Sequence, residues 1–134
     1  MLKDLYEQVD SELSSVQPEC SACGKCCDFE TSGHQVWASE IEIEYLLTNA
    51  PAAYPQNLEQ GKCPYWRDNK CAAHNFRLLG CRAFHHDKDS QEKCREIYEK
   101  YLARIKLIVV NENLRWRYDN FLSAIGEKFA KRYD

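Results

Sequence analysis

The sequence lacks a long hydrophobic run, which excludes the commonest kind of membrane anchor. Its longest strictly apolar stretch is Leu107–Val110, whereas a helix that crosses a bilayer needs about 20 apolar residues. The N-terminal residues also lack the long apolar core of a secretory signal peptide. We therefore expect a cytoplasmic protein that does not bind membranes, in a reducing compartment where cysteines bind metals more often than they pair.

Motifs for nucleotide binding and acid–base catalysis are also missing. The chain has no G-x-G-x-x-G loop, no recognisable acid/base pair and no internal repeat. The absence of these motifs leaves open whether the protein is an enzyme. The net charge is −3, and residues 91–134 carry ten basic against seven acidic side chains. Such a small basic excess does not support nucleic-acid binding, and we expect none.

Cysteine, by contrast, is abundant and clustered. Four of the eight cysteines lie within residues 20–27, and the other four are spread over residues 63–94. Two cysteines three residues apart are too close for an easy mutual disulfide, but a turn can aim both sulfurs at one metal ion about 2.3 Å away. The pattern predicts a metal-binding or metal-cluster domain, with four disulfides in an exported form as the alternative.

Hydrophobic periodicity predicts a mostly helical chain. The apolar spacing in residues 2–16 predicts a first helix, which Pro18 stops. Ser39 and Glu42 form a capping-box signature, which predicts the start of a second helix that ends at Pro51.

Two further helices are expected in the C-terminal third. A long helix runs from Asp89 to the polar residues 111–113, which break it. The final helix is expected to carry these side chains on one face: Tyr118, Phe121, Leu122, Ile125 and Phe129. Residues 29–37, further towards the N-terminus, are expected to form short extended structure.

The central part of the chain predicts a loop followed by a hairpin. Residues 51–62 contain two prolines and a glycine, which favour a loop. The stretch from Cys63 to Cys71 predicts a tight hairpin that turns at Asp68-Asn69 and brings the two cysteines together.

These elements predict one domain over residues 1–134. The expected fold is mostly α: a small, cysteine-rich, metal-stapled domain of three to five helices with metal loops and a short hairpin. The metal-binding core covers about residues 20–86, and the C-terminal helices cover about residues 90–132. The middle of the chain has few aliphatic residues, so a bound metal would supply much of its folding free energy.

The order of the cysteines resembles a known family. The motifs are Cys20-x2-Cys23-Gly24-x-Cys26-Cys27, Cys63-Pro64…Cys71 and Arg77…Cys81-Arg82-x-Phe84. They resemble the CxxCxxCC family of zinc- or iron-chelating domains over about residues 20–86. The resemblance implies these metal-site residues: Cys20, Cys23, Cys26, Cys27, Cys63, Cys71 and Cys81. The same domain occurs in flagellin lysine-N-methylases, whose cysteines are associated with an iron–sulfur cluster, and this favours an iron–sulfur cluster slightly over zinc.

The chain departs from the family pattern at two places. The family usually has Arg-Pro before its last cysteine, and this chain has Arg77-Leu78. The family often has proline after the Cys-Arg-x-Phe motif, where this chain has His85 and His86. These histidines add candidate nitrogen ligands, but we expect each to occupy a polar loop rather than to bind the metal. Nothing outside the domain resembles the longer methylases, so their activity is not transferred to this chain.

The number of thiolates bears on the kind of metal centre. Seven or eight cysteines exceed the four that one tetrahedral zinc needs. Two zinc sites, one 4Fe–4S cluster with spare cysteines, and a bridged multinuclear site all fit the count. In extended backbone the adjacent side chains of Cys26 and Cys27 face opposite ways, which indicates two centres or one large cluster. The Cys-x2-Cys-x2-Cys run also resembles the ligand spacing of bacterial ferredoxins.

Other residues near the motifs have less specific readings. Cys94 is in phase with apolar positions of a helix, so we expect it in the core rather than at the metal. His34 and His74 carry no motif and are expected to be structural or exposed. Arg82 is expected to donate to a thiolate or a carbonyl, with a surface salt bridge as the alternative. Four aromatic residues are expected to shield the site from water: Tyr65, Trp66, Phe76 and Phe84.

Three functions fit the sequence. The first is a metal-binding or cluster-binding protein that acts in electron transfer, redox sensing or metal handling. The second is an enzyme, an oxidoreductase or a protein-modifying one, that uses the metal centre. The third is a structural zinc domain whose helices bind a protein partner.

Overall fold

The computed structural model describes residues 2–14, 36–50, 53–67, 70–82 and 88–133, and these residues are mostly helical. The α-helices in these ranges are α1 Leu2–Leu13, α2 Glu40–Asn49, α3 Leu79–Arg82, α4 Lys88–Asn111 and α5 Phe121–Tyr133. The strands are β1 Trp37–Ser39, β2 Trp66–Arg67, β3 Lys70–Cys71 and β4 Tyr118–Asn120, and two 3₁₀ helices cover Pro55–Gln60 and His74–Phe76. The mostly helical fold class is confirmed. In the described ranges, every helix is too short or too polar to cross a membrane.

Two apolar cores hold these elements together. The first, which we call the hairpin-side core, consists of Val36, Ala38, Ile43, Leu46, Cys63, Tyr65, Ala73, Leu78, Phe121, Ala124, Ile125 and Phe129. The second, the α1–α4 core, consists of Leu2, Leu5, Tyr6, Val9, Leu13, Leu79, Cys94, Tyr101 and Ile105. The second core forms because α1 and α4 each carry one apolar stripe at helical spacing, and the two stripes pack on each other. Leu78 and Leu79 are neighbours that enter different cores, so the start of α3 joins the two.

The capping box at the start of α2 is confirmed. The backbone N–H and the hydroxyl of Ser39 both donate to Oε2 of Glu42, at 3.1 and 2.8 Å. The other oxygen, Oε1, accepts from the Tyr6 hydroxyl at 3.0 Å and from the Leu79 N–H at 2.8 Å. One buried carboxylate therefore ties α1, α2 and α3 to each other.

The long helix α4 ends at Asn111, as the polar residues 111–113 predict. Asn113 has a φ of 57°, the left-handed conformation that asparagine tolerates better than most residues. The N–H of Asn113 donates to the Val110 carbonyl at 3.1 Å, and the N–H of Leu114 donates to the Val109 carbonyl at 2.9 Å. This pair of hydrogen bonds is the Schellman arrangement, which satisfies the last carbonyls of a helix.

The prediction of a plain loop over residues 51–62 is wrong, because a 3₁₀ helix occupies Pro55–Gln60. Pro55 fixes its own φ at a helical value at the first position of this element. Gly61 closes it with a φ of 67°, a conformation that glycine adopts at little cost.

The prediction that Tyr118 belongs to the last helix is also wrong. Tyr118 lies in β4, opposite Ser39 of β1 in an antiparallel ladder. The helix begins only after Asn120, whose side-chain oxygen accepts from the Ser123 N–H at 3.3 Å. An asparagine in this position caps a helix N-terminus, and this sets the boundary. The first helix likewise ends at Leu13, and the end of its predicted range lies outside the described residues.

Candidate metal centre

The structure describes three of the seven predicted metal-site cysteines. Cys63 is buried in the hairpin-side core, and Cys71 and Cys81 are half-buried against the same core. The remaining four lie outside the described residues: Cys20, Cys23, Cys26 and Cys27. Cys94 is buried in the α1–α4 core, where burial raises the pKa of its thiol. The expectation that Cys94 is a core residue is confirmed.

The predicted hairpin is present, and its register fixes where the two cysteines sit. Strands β2 and β3 are antiparallel, with Trp66 opposite Cys71 and Arg67 opposite Lys70. Cys63 precedes the paired segment, so its neighbour across the ladder is not Cys71. The Cys63 carbonyl instead accepts from the Trp66 N–H, at 3.0 Å. The hairpin therefore positions Cys71 by strand pairing and Cys63 by a turn.

A side chain from the first 3₁₀ helix holds the base of the hairpin. Nδ2 of Asn57 donates to the carbonyl of Cys63 at 3.0 Å and to the carbonyl of Trp66 at 2.9 Å. Asn57 is itself buried. The segment that carries Cys63 is thus fixed by the Trp66 N–H and by the Asn57 side chain, which both donate to the Cys63 carbonyl.

The predicted shielding aromatics also belong to this region. Tyr65 is buried in the hairpin-side core, and Trp66 and Phe76 pack against that core. Phe84 lies outside the described residues, as do His34, His85 and His86.

Arg82 anchors the segment that carries Cys81. Its guanidinium is only 4% exposed, and it donates to the carbonyls of Arg77 and Asn75 at 2.8 and 3.0 Å. It also pairs with Asp10 of α1 at 2.6 Å and lies 4.2 Å from the ring centre of Tyr6. The expectation that Arg82 donates to a carbonyl is confirmed. The alternative of a simple surface salt bridge is wrong, because the arginine is buried and only Asp10 is half-exposed.

His74 lies between Cys71 and Cys81, in the second 3₁₀ helix. Its atom Nε2 is buried and has no hydrogen-bond partner in the structure as described. Burial lowers the pKa of the His74 imidazole, and the nearby cations of Arg77 and Arg82 lower it further. The lowered pKa favours the uncharged imidazole, which is the form that binds metals. The sequence predicted that His74 is structural or exposed, and the structure shows a half-buried side chain whose Nε2 is shielded from solvent.

The donors in this region suit zinc or iron. Thiolates and an uncharged imidazole are ligands that both metals accept. Within the described ranges, however, no three His, Cys, Asp or Glu side chains come together as a metal-binding group. A site built on Cys63, Cys71 and Cys81 therefore needs further donors, and the four cysteines of residues 20–27 are the candidates.

Comparison with known proteins assigns neither a family nor a function to this chain. No protein-family model, no curated protein and no solved structure matches this chain. The resemblance to the CxxCxxCC family therefore rests on the cysteine motifs of the sequence, and the metal centre stays a prediction.

A separate groove of about 330 Å³ lies between the start of α2 and the end of α4. Its lining includes the apolar side chains of Ile41, Val109, Leu114 and Trp116. Two of its acidic residues, Glu40 and Glu44, both pair with Lys128, at 2.9 and 2.7 Å. Both carboxylates that line the groove thus share one lysine as an ion-pair partner.

Proposed function

We propose that this protein holds a metal centre, an iron–sulfur cluster or zinc, on cysteine thiolates and acts in redox chemistry, sensing or metal handling. The observation that supports this most is the separation of the described cysteines. Cys63, Cys71 and Cys81 come from three different segments and all pack in or against the hairpin-side core, whereas Cys94 packs in the α1–α4 core. The three cysteines that the sequence predicts as ligands thus lie at one core, and the cysteine that it predicts as a core residue lies in the other.

The short elements around these cysteines also favour a metal. Between residues 66 and 82 the chain forms two strands of two residues, a 3₁₀ helix of three and an α-helix of four. Elements this short have little stability of their own. A structural metal contributes on the order of 10 kcal/mol to coupled folding, which is enough to fix such a segment.

The two alternatives make different demands on the molecule. An enzyme would need an open coordination position or a substrate pocket beside the metal. The groove at α2 and α4 is lined by a different set of residues from the cysteine segments. A structural zinc domain would need only a closed site of four ligands, and its helices would bind a protein partner.

Metal analysis after anaerobic purification distinguishes these possibilities. We expect a brown protein with nearly equal iron and sulfide per chain, which supports a cluster in a redox or sensing role or in an enzyme. A colourless protein with bound zinc would contradict the cluster and support the zinc form. Cys27→Ser tests the two-centre reading, because unchanged metal content in this variant would contradict it.

A further inference from the structure

The outer face of α4 carries a row of exposed apolar side chains near the end of the helix. Ala103, Leu107 and Val110 are four and three residues apart, so they lie on one face. Ala103 is exposed, and Leu107 and Val110 leave 60% and 58% of their surface open to solvent. Leu114, just after the helix, is 53% exposed. Single exposed apolar residues are normal, but a group of large ones marks an interaction site. We call these four residues the α4 row.

The spacing of the α4 row suits another helix as the partner. Apolar residues that recur at intervals of four and three let two helices pack along a common seam. The opposite face of α4 is already occupied, because Tyr101 and Ile105 are buried in the α1–α4 core. The helix therefore packs on its own chain through one face and presents a second apolar face to solvent.

The charges beside the row favour a second copy of this chain as that partner. Lys106 and Glu112 are both exposed, and within the described part of the chain neither of them forms an ion pair. In an antiparallel pair, Leu107 of each copy lies opposite Val110 of the other. Glu112 of each copy then comes close to Arg104 and Lys106 of the other. This arrangement is self-complementary, as a two-fold symmetric interface requires.

We propose that the α4 row is a dimer interface, in which two copies of this chain pack antiparallel about a two-fold axis between Leu107 and Val110. The proposal does not depend on the metal centre. The helical part of the row spans about two turns, so the contact lies at the small end of specific interfaces. We therefore expect a weak, reversible dimer.

Analytical ultracentrifugation of the full chain tests the proposal, with a reductant present so that disulfides do not link the copies. We expect the mass to rise from monomer towards dimer between about 1 µM and 1 mM protein. A wild type that stays monomeric throughout this range would overturn the proposal, whatever other protein the row binds.

A double variant tests whether the α4 row forms the contact. We expect Leu107→Glu with Val110→Glu to weaken self-association at least about tenfold, because the dimer would bury carboxylates without partners. Both positions are exposed, and circular dichroism checks that the helices persist. The control is Lys93→Glu, which changes the net charge by the same amount at an exposed position elsewhere on α4. An undiminished dimer in the double variant, or an equal loss in the control, would overturn the proposal.

Charge reversal tests the antiparallel arrangement without changing the apolar row. We expect Lys106→Glu and Glu112→Lys each to weaken the dimer, because like charges then face each other across the seam. The variant with both reversals restores opposite charges at these two positions, and we expect it to dimerise more strongly than either single variant. A combined variant that is no stronger than the single ones would overturn the antiparallel pairing.

Discussion

Single residues with several partners organise this small fold. Arg82 contacts α1 through Asp10 and Tyr6 and also holds two carbonyls of the segment before α3. Glu42 accepts from groups on α1, on α3 and at its own helix start. Both side chains are buried, so each substitution leaves several polar groups without a partner.

We expect Arg82→Met to lower the free energy of unfolding by about 3 kcal/mol, because the change breaks a buried ion pair and leaves two backbone carbonyls without a hydrogen-bond partner. Asp10 is 47% exposed, so screening reduces the share that the ion pair itself contributes. Urea unfolding measures the loss.

The matched control is Arg95→Met on α4. Arg95 is exposed and lies 3.9 Å from the exposed Glu99, an ion pair worth under about 0.5 kcal/mol. Equal losses in the two variants would contradict the anchoring role of Arg82.

At this scale the sequence predicts local contacts well and distant ones poorly. The bond between Ser39 and Glu42 spans three residues and follows from a short motif. The bonds from Tyr6 and Leu79 to the same carboxylate span 36 and 37 residues, and no local pattern encodes them.

At the scale of elements, length decides what periodicity can reveal. Helices α1, α2 and α4 have ten or more residues, and their apolar repeats predict them to within a few residues. Strands β1 and β4 have three residues each, which is too short for an alternating pattern. Their pairing is a contact between distant segments, and it explains why Tyr118 was assigned to the wrong element.

The ion pairs of Lys128 join α5 to α2 and predict a pH dependence. The hydrogen bond from Lys128 holds the pKa of Glu40 below its usual value. A carboxylate with a lowered folded pKa adds stability above its ordinary pKa of about 4.5, and this stability is lost as the pH falls through the folded pKa. Because Glu40 and Glu44 are partly exposed, the whole contribution is under about 1 kcal/mol.

We therefore expect Lys128→Met to be less stable than the wild type at pH 7, with the difference shrinking below about pH 4.5. Unfolding of both proteins at each pH gives the difference, and any acid-induced loss of metal affects both. Lys93→Met, at an exposed lysine of α4, serves as the control. A difference that stays constant down to pH 3 would contradict the role of Glu40.

At the scale of the whole molecule, two apolar cores hold different sets of elements together. The α1–α4 core is built mainly from long helices with regular apolar stripes, and the sequence pattern predicted these helices but not their packing on each other. The hairpin-side core includes short elements whose positions depend on contacts between distant residues. The candidate site lies against the hairpin-side core, so the sequence could name its cysteines but not their arrangement.

The central claim is that Cys63, Cys71 and Cys81 are ligands and Cys94 is not. The most direct test is the metal content per chain of Cys81→Ser and Cys94→Ser, measured beside the wild type after anaerobic purification. We predict that Cys81→Ser loses most of the metal, whereas Cys94→Ser keeps the wild-type content and only becomes less stable. A wild type without metal, or equal metal content in the two variants, would contradict the account.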